Sequence, residues 1–184
     1  MNASHELAVL KEMAGEFEQY LLAEALFWQM QGRSDFPQLS LGMMLLTRAR
    51  LRALQAQLTP AQMAERERAE GQIDGVVSHW AVAAEHKAEK ELRARLNLWQ
   101  AFLSECRDAP QTCAENYVQD VTQRAMAMLL LRQFPRLADS PEAGRVPGMD
   151  AQLRPRFKSG AFVWLAELQS EFPQSEFWFL YGRV

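Results

Sequence analysis

Residues 59–107, TPAQMAERERAEGQIDGVVSHWAVAAEHKAEKELRARLNLWQAFLSECR, decide the fold. Thr59 reads as an N-cap, Pro60 as the first helical position and Gln62 as the third, an arrangement that opens a helix by satisfying its first free N–H groups. Ile73, Val77, Trp80, Ala84, Leu92, Leu96, Trp99, Leu103 and Cys106 then recur at helical spacing. The pattern predicts a helix that continues to about Arg107, roughly 45 residues or about 70 Å if unbroken. Gly71 and Gly75 mark either a kink or a place where another backbone comes close. EHKAEKE, 85–91, is polar all round and predicts a solvent-exposed stretch or a bridge between two packed regions.

On its N-terminal side lie two shorter helices. The first is expected from about Ser4 to Gln31, with Leu10, Met13, Phe17, Tyr20, Glu24 and Phe27 in one stripe, widened by Leu7, Leu21 and Trp28, and Gly32 as C-cap. The second is expected between about Pro37 and Gln57, capped by Asp35 with Gln38. On the C-terminal side, Thr112 with Glu115 predicts another capping box, and the helix it opens ends at Phe134 before Pro135. Two hairpins of long helices make an all-α chain, an antiparallel four-helix bundle. Composition agrees: 26 Ala and 24 Leu stand against nine Val, one Ile and four Thr, too few β-branched residues for a substantial sheet.

Nine of the 17 Gly and Pro residues fall in the last 50 positions, so the tail reads differently. The bundle is assigned to 1–138, and 139–184 to a loop and short helices packed on it. ADSPEAGRVPGMD, 138–150, reads as a surface loop, with short helices at about Asp150–Arg154 and Ala161–Glu171. The aromatic ending SEFWFLYGRV is expected to dock on the body.

A net charge of −3 argues against a general nucleic-acid binder. No apolar run approaches the ~20 residues that cross a bilayer, and the start lacks a secretory pattern, so a cytoplasmic protein without membrane partners is expected. Cys106 and Cys113 flank the turn RDAPQT, where a disulfide is geometrically possible; two reduced thiols are the favoured reading in a cytoplasmic setting.

Chemistry is thinly signalled. Glu24 falls in an apolar stripe, Arg48 and Arg95 border others and Arg124 lies in one, so Glu24 is expected to pair with Arg124 or Arg95. A structural ion pair is the plainer reading; the functional one is a ligand site walled by Trp28 and Trp99. His5, His79 and His86 form no Glu-x-x-His pair, and no metal or other cofactor is expected. There is no phosphate-binding glycine loop and no nucleophile elbow. The leading expectation is a non-catalytic module that self-associates or docks another protein, through a face of the long helix or the aromatic tail. A small-ligand receptor or enzyme with a site in the bundle core is the alternative, and a groove for another protein's helix a weaker one.

Overall fold

The computed structural model describes residues 2–32 and 35–184. The chain is mostly helical, with one small two-stranded sheet near its end. It divides into two compact units, Met1–Glu91 and Leu92–Val184.

The first unit contains α1 (Ala3–Leu22), α2 (Leu41–Ala53), α3 (Pro60–His79) and the start of α4 (Ala81–Asp108). Leu7, Leu10, Met13, Phe17, Tyr20 and Leu21 of α1 are buried, as the stripe requires. α1 and α2 run antiparallel, since Leu41 N–H donates to the Tyr20 hydroxyl at one end while Arg50 meets Glu6 at the other. α2 and α3 are antiparallel too, tied by Arg48 to Asp74 at 2.6 Å. α3 therefore lies parallel to α1, with Lys11 bonded to Glu65, Gln72 to the Ala14 carbonyl and Trp80 to Glu18. The Thr59–Gln62 capping box is present in both directions.

Several sequence expectations are corrected here. α1 stops at Leu22, nine residues short of Gln31, and the chain folds back along it: Glu16 accepts from the Trp28 indole at 2.6 Å and from Gln31 N–H at 2.8 Å. Gly32 caps no helix; it lies against the Glu12 carboxylate. α2 is capped by Ser40, which accepts from Met43 N–H, and not by Asp35. The long helix is interrupted at Trp80, whose ψ of 39° leaves the helical range. Gly71 and Gly75 sit inside α3 with open space where a Cβ would be, so they mark no close approach of another backbone. With the break, helices of 20 and 28 residues replace the single helix of roughly 45 residues whose uncovered length would have called for a second subunit.

The second unit contains the rest of α4, α5 (Pro110–Gln133), α6 (Val146–Leu153), β1 (Lys158–Phe162) and β2 (Tyr181–Arg183). Leu92, Leu96, Trp99, Leu103 and Cys106 form the buried face of α4. α5 returns antiparallel after a single connecting residue, Ala109, and Cys106 is disulfide-bonded to Cys113. The favoured reading of reduced thiols is overturned. So is the Thr112 capping box: α5 starts at Pro110, and no side chain caps it.

The tail differs most. The expected loop at 138–150 is a run of short helical turns leading into α6, and the expected helix from Ala161 begins as β1 instead. β1 and β2 pair antiparallel, Lys158 opposite Arg183 and Phe162 opposite Tyr181, with an irregularity between. The aromatic ending does dock. Tyr117 of α5 donates its hydroxyl to the Phe179 carbonyl at 2.6 Å. Phe157, Trp178, Phe179, Phe177, Phe172 and Trp164 follow one another in ring-to-ring contact.

Candidate functional site

In the first unit a buried polar cluster forms where α1 ends. α4 presents Ala84, Lys87, Ala88 and Glu91 on one buried face. The last carbonyls of a helix have no partner within it. Lys87 supplies one: its ammonium donates to the carbonyls of Tyr20, Ala23 at 2.8 Å and Ala25 at 3.0 Å, and lies 4.1 Å from the Tyr20 ring centroid. One turn on, Glu91 accepts from the Ser40 hydroxyl at 2.7 Å and from Gly42 N–H at 3.1 Å, at the start of α2. A cation thus meets the negative end of one helix dipole and an anion the positive end of the next. The polar stretch 85–91 is therefore not simply solvated.

Burial pulls Lys87 down from the ordinary 10.5 to about 8, with Lys90 adding to the fall and Glu91 opposing it. Between those values the unfolded chain holds a proton that the folded chain has released, so stability rises with pH across this window. Tyr117 limits the useful range, because burial raises its pKa and stability is lost above pH 10. Urea midpoints are expected to rise between about pH 7.5 and 9.5 by the equivalent of about 1–2 kcal/mol, and to stay flat in Lys87→Met. A flat wild-type curve would remove the desolvated ammonium from this account.

Beside this cluster lies a cleft of about 220 Å³. Leu21, Leu22, Leu26 and Ala83 give it an apolar wall; Glu24, His86 and Lys90 stand at its polar edge. Leu22 is 51% exposed, and Val82, next to Ala83 on α4, is 81% exposed. A large apolar side chain left this open at the edge of an apolar cleft is a mark of an interaction surface.

In the second unit Arg124, 3% exposed, is held by Asp150 through two bonds of 3.2 and 3.1 Å, and its guanidinium lies 4.6 Å from the Phe179 ring. Arg95 is buried and donates to Gln123 at 2.8 Å. Trp99 is fully buried and stacks on Phe102 at 5.1 Å, in the core rather than on a cavity wall.

The residues singled out from sequence thus have separate settings. Glu24 is exposed, beyond the end of α1, so the inference that it is taken out of water was wrong. Trp28 is half-buried on the returning segment, bonded to Glu16. Arg124 is buried as expected, and its carboxylate is Asp150, a residue the sequence reading placed at the edge of a loop. Lys87 and Glu91 were missed, although their four-residue spacing among Ala84, Ala88 and Leu92 was a usable signal. Among the described residues no three His, Cys, Asp or Glu side chains converge as metal ligands would, and none of the helices is long and apolar enough to cross a membrane. No protein-family model matches the chain, and no curated protein or solved structure is similar enough to match it.

Proposed function

We propose that this chain is a non-catalytic interaction module that self-associates through the face around the cleft lined by Leu22 and Ala83, where α1 ends and α4 begins. The observation that carries this is the exposure of Leu22 on an apolar cleft lined by groups of both signs, with exposed Val82 at the start of α4 adding apolar surface in the same unit. A two-fold interface brings the same patch to itself, so it must be self-complementary. Glu24 and Lys90 both line the cleft, so the acid of one copy can face the base of the other. The polar clusters support a non-catalytic reading, because the hydrogens of Lys87 and the guanidinium of Arg124 are already used to hold helices together. The four-helix arrangement expected from sequence is kept as part of this proposal; the cytoplasmic setting is not, because disulfides persist mainly where thiols are not kept reduced.

Sedimentation equilibrium and native mass spectrometry test it. A dimer is expected for the wild type, and Leu22→Asp with Val82→Asp should weaken it by at least about tenfold while leaving helical circular dichroism unchanged. Glu24→Lys should weaken it as well, and Lys90→Glu in the same chain should restore it. A wild-type monomer at high micromolar concentration would overturn the proposal.

A further inference from the structure

The overall charge is −3, yet residues 151–166 contain no acid, and Arg154, Arg156 and Lys158 fall within five positions. β-pairing sets Arg183 opposite Lys158, adding a fourth cation. All four are exposed, and among the described residues none of them is in a salt bridge. A local excess of this kind attracts anions.

The excess adjoins a pocket of about 240 Å³ lined by Arg154, Phe157, Ser159, Gln174 and Trp178. The Arg154 guanidinium lies over the Trp178 indole, its central carbon 4.3 Å from the ring centroid. A guanidinium held over an aromatic ring keeps N–H donors that can grip a carboxylate or phosphate with two bonds, and Arg154 is exposed and in no salt bridge among the described residues. Ser159 and Gln174 add a hydroxyl and an amide that make no hydrogen bond within the described residues. Phe157 stands edge-on to Trp178 at 5.1 Å and closes the apolar side. Gly182 fixes that wall. Its φ is +152°, and a Cβ there would meet the Lys158 carbonyl and the Phe157 ring, so the position admits glycine alone without moving both.

We propose that this pocket binds a small organic oxyanion, a carboxylate or phosphate carried on a single flat ring. The anion sits on Arg154, Ser159 and Gln174, and the ring packs against Phe157 and Trp178. The size sets the limit, since drug-sized ligands occupy roughly 300–1,000 Å³ and this pocket is smaller. All of these residues belong to the Leu92–Val184 unit, so the site stands or falls independently of self-association through the first unit.

The test follows the Trp178 indole N–H by NMR as benzoate, phenyl phosphate, benzamide or inorganic phosphate is added to the full chain. Saturable shifts at millimolar concentration are expected for benzoate and phenyl phosphate, at least about tenfold tighter than for benzamide or inorganic phosphate. Arg154→Gln should lose at least about tenfold in affinity with unchanged circular dichroism, and Gln174→Ala should lose less. Benzamide binding as well as benzoate would overturn the anion site, and inorganic phosphate matching phenyl phosphate would overturn the ring's share. No saturable shift with any probe, or full binding by Arg154→Gln, would overturn the proposal as a whole.

Discussion

Asp150→Asn is expected to destabilise the Leu92–Val184 unit by about 3–5 kcal/mol. Asn is nearly the same size as Asp, so packing is kept and only the charge goes. What remains is Arg124, 3% exposed, in contact with the Met128 sulfur and the Phe179 ring and with no carboxylate to offset its desolvation. Neither the ring nor the thioether replaces that anion, because even a desolvated cation–π contact is worth about 2 kcal/mol, less than the several kcal/mol it costs to bury an unpaired charge. Water must therefore enter, or α6 must move away from α5. Removing both charges, as Arg124→Met with Asp150→Leu, should recover most of the loss, since an apolar pair of similar volume is often as stable as a buried ion pair. Urea unfolding followed by near-ultraviolet circular dichroism measures both variants. If Asp150→Asn costs less than about 1 kcal/mol, or the double variant is worse than the single, the pair is not an anchor of this unit.

The same pair shows what sequence patterning conveys and what it leaves out. A 3–4 spacing identifies which face of a helix is buried, and Leu10, Met13, Phe17 and Tyr20 in α1, or Leu92, Leu96, Trp99 and Leu103 in α4, all lie where it puts them. Arg124 was legible as buried for that reason. Its partner was not, because Asp150 lies 26 positions away in a stretch whose Gly and Pro content suggests a loop. Caps behaved alike. Thr59 carries its signal locally and was found, whereas the end of α1 carries none, with no Gly or Pro between Gly15 and Gly32. That helix stops where it does because the chain turns back to Glu16 and because Lys87, more than 60 residues on, takes the freed carbonyls. A tertiary contact of that kind leaves no local trace. The strand Lys158–Phe162 was missed for a related reason: KSGAF has no β-branched residue, and its pairing is supported instead by Phe162 against Tyr181 across the sheet.

Breaking the Cys106–Cys113 bond is expected to cost about 2–3 kcal/mol, toward the lower end for disulfides because the loop it closes is short. Its contribution lies at the corner between α4 and α5. The helices are separated by Ala109 alone, Pro110 fixes the first turn of α5, and no side chain caps that turn. The covalent link between Cα atoms 4.8 Å apart limits how far the unfolded chain can separate the two helix ends. Cys106→Ala with Cys113→Ala should therefore lower the unfolding midpoint of the second unit while leaving helical content intact. Burial adds a second expectation. Cys106 and Cys113 are 2% and 1% exposed, and thiol–disulfide exchange needs an attacking thiolate to reach a sulfur. The native protein should resist millimolar dithiothreitol, scored by mass shift on thiol trapping, and be cut by the same reductant once urea opens the corner. Rapid cleavage of the folded protein would mean that the α4–α5 corner opens locally without global unfolding. In that case the bond is a labile link at the helix corner, and the double alanine variant should then lose little stability.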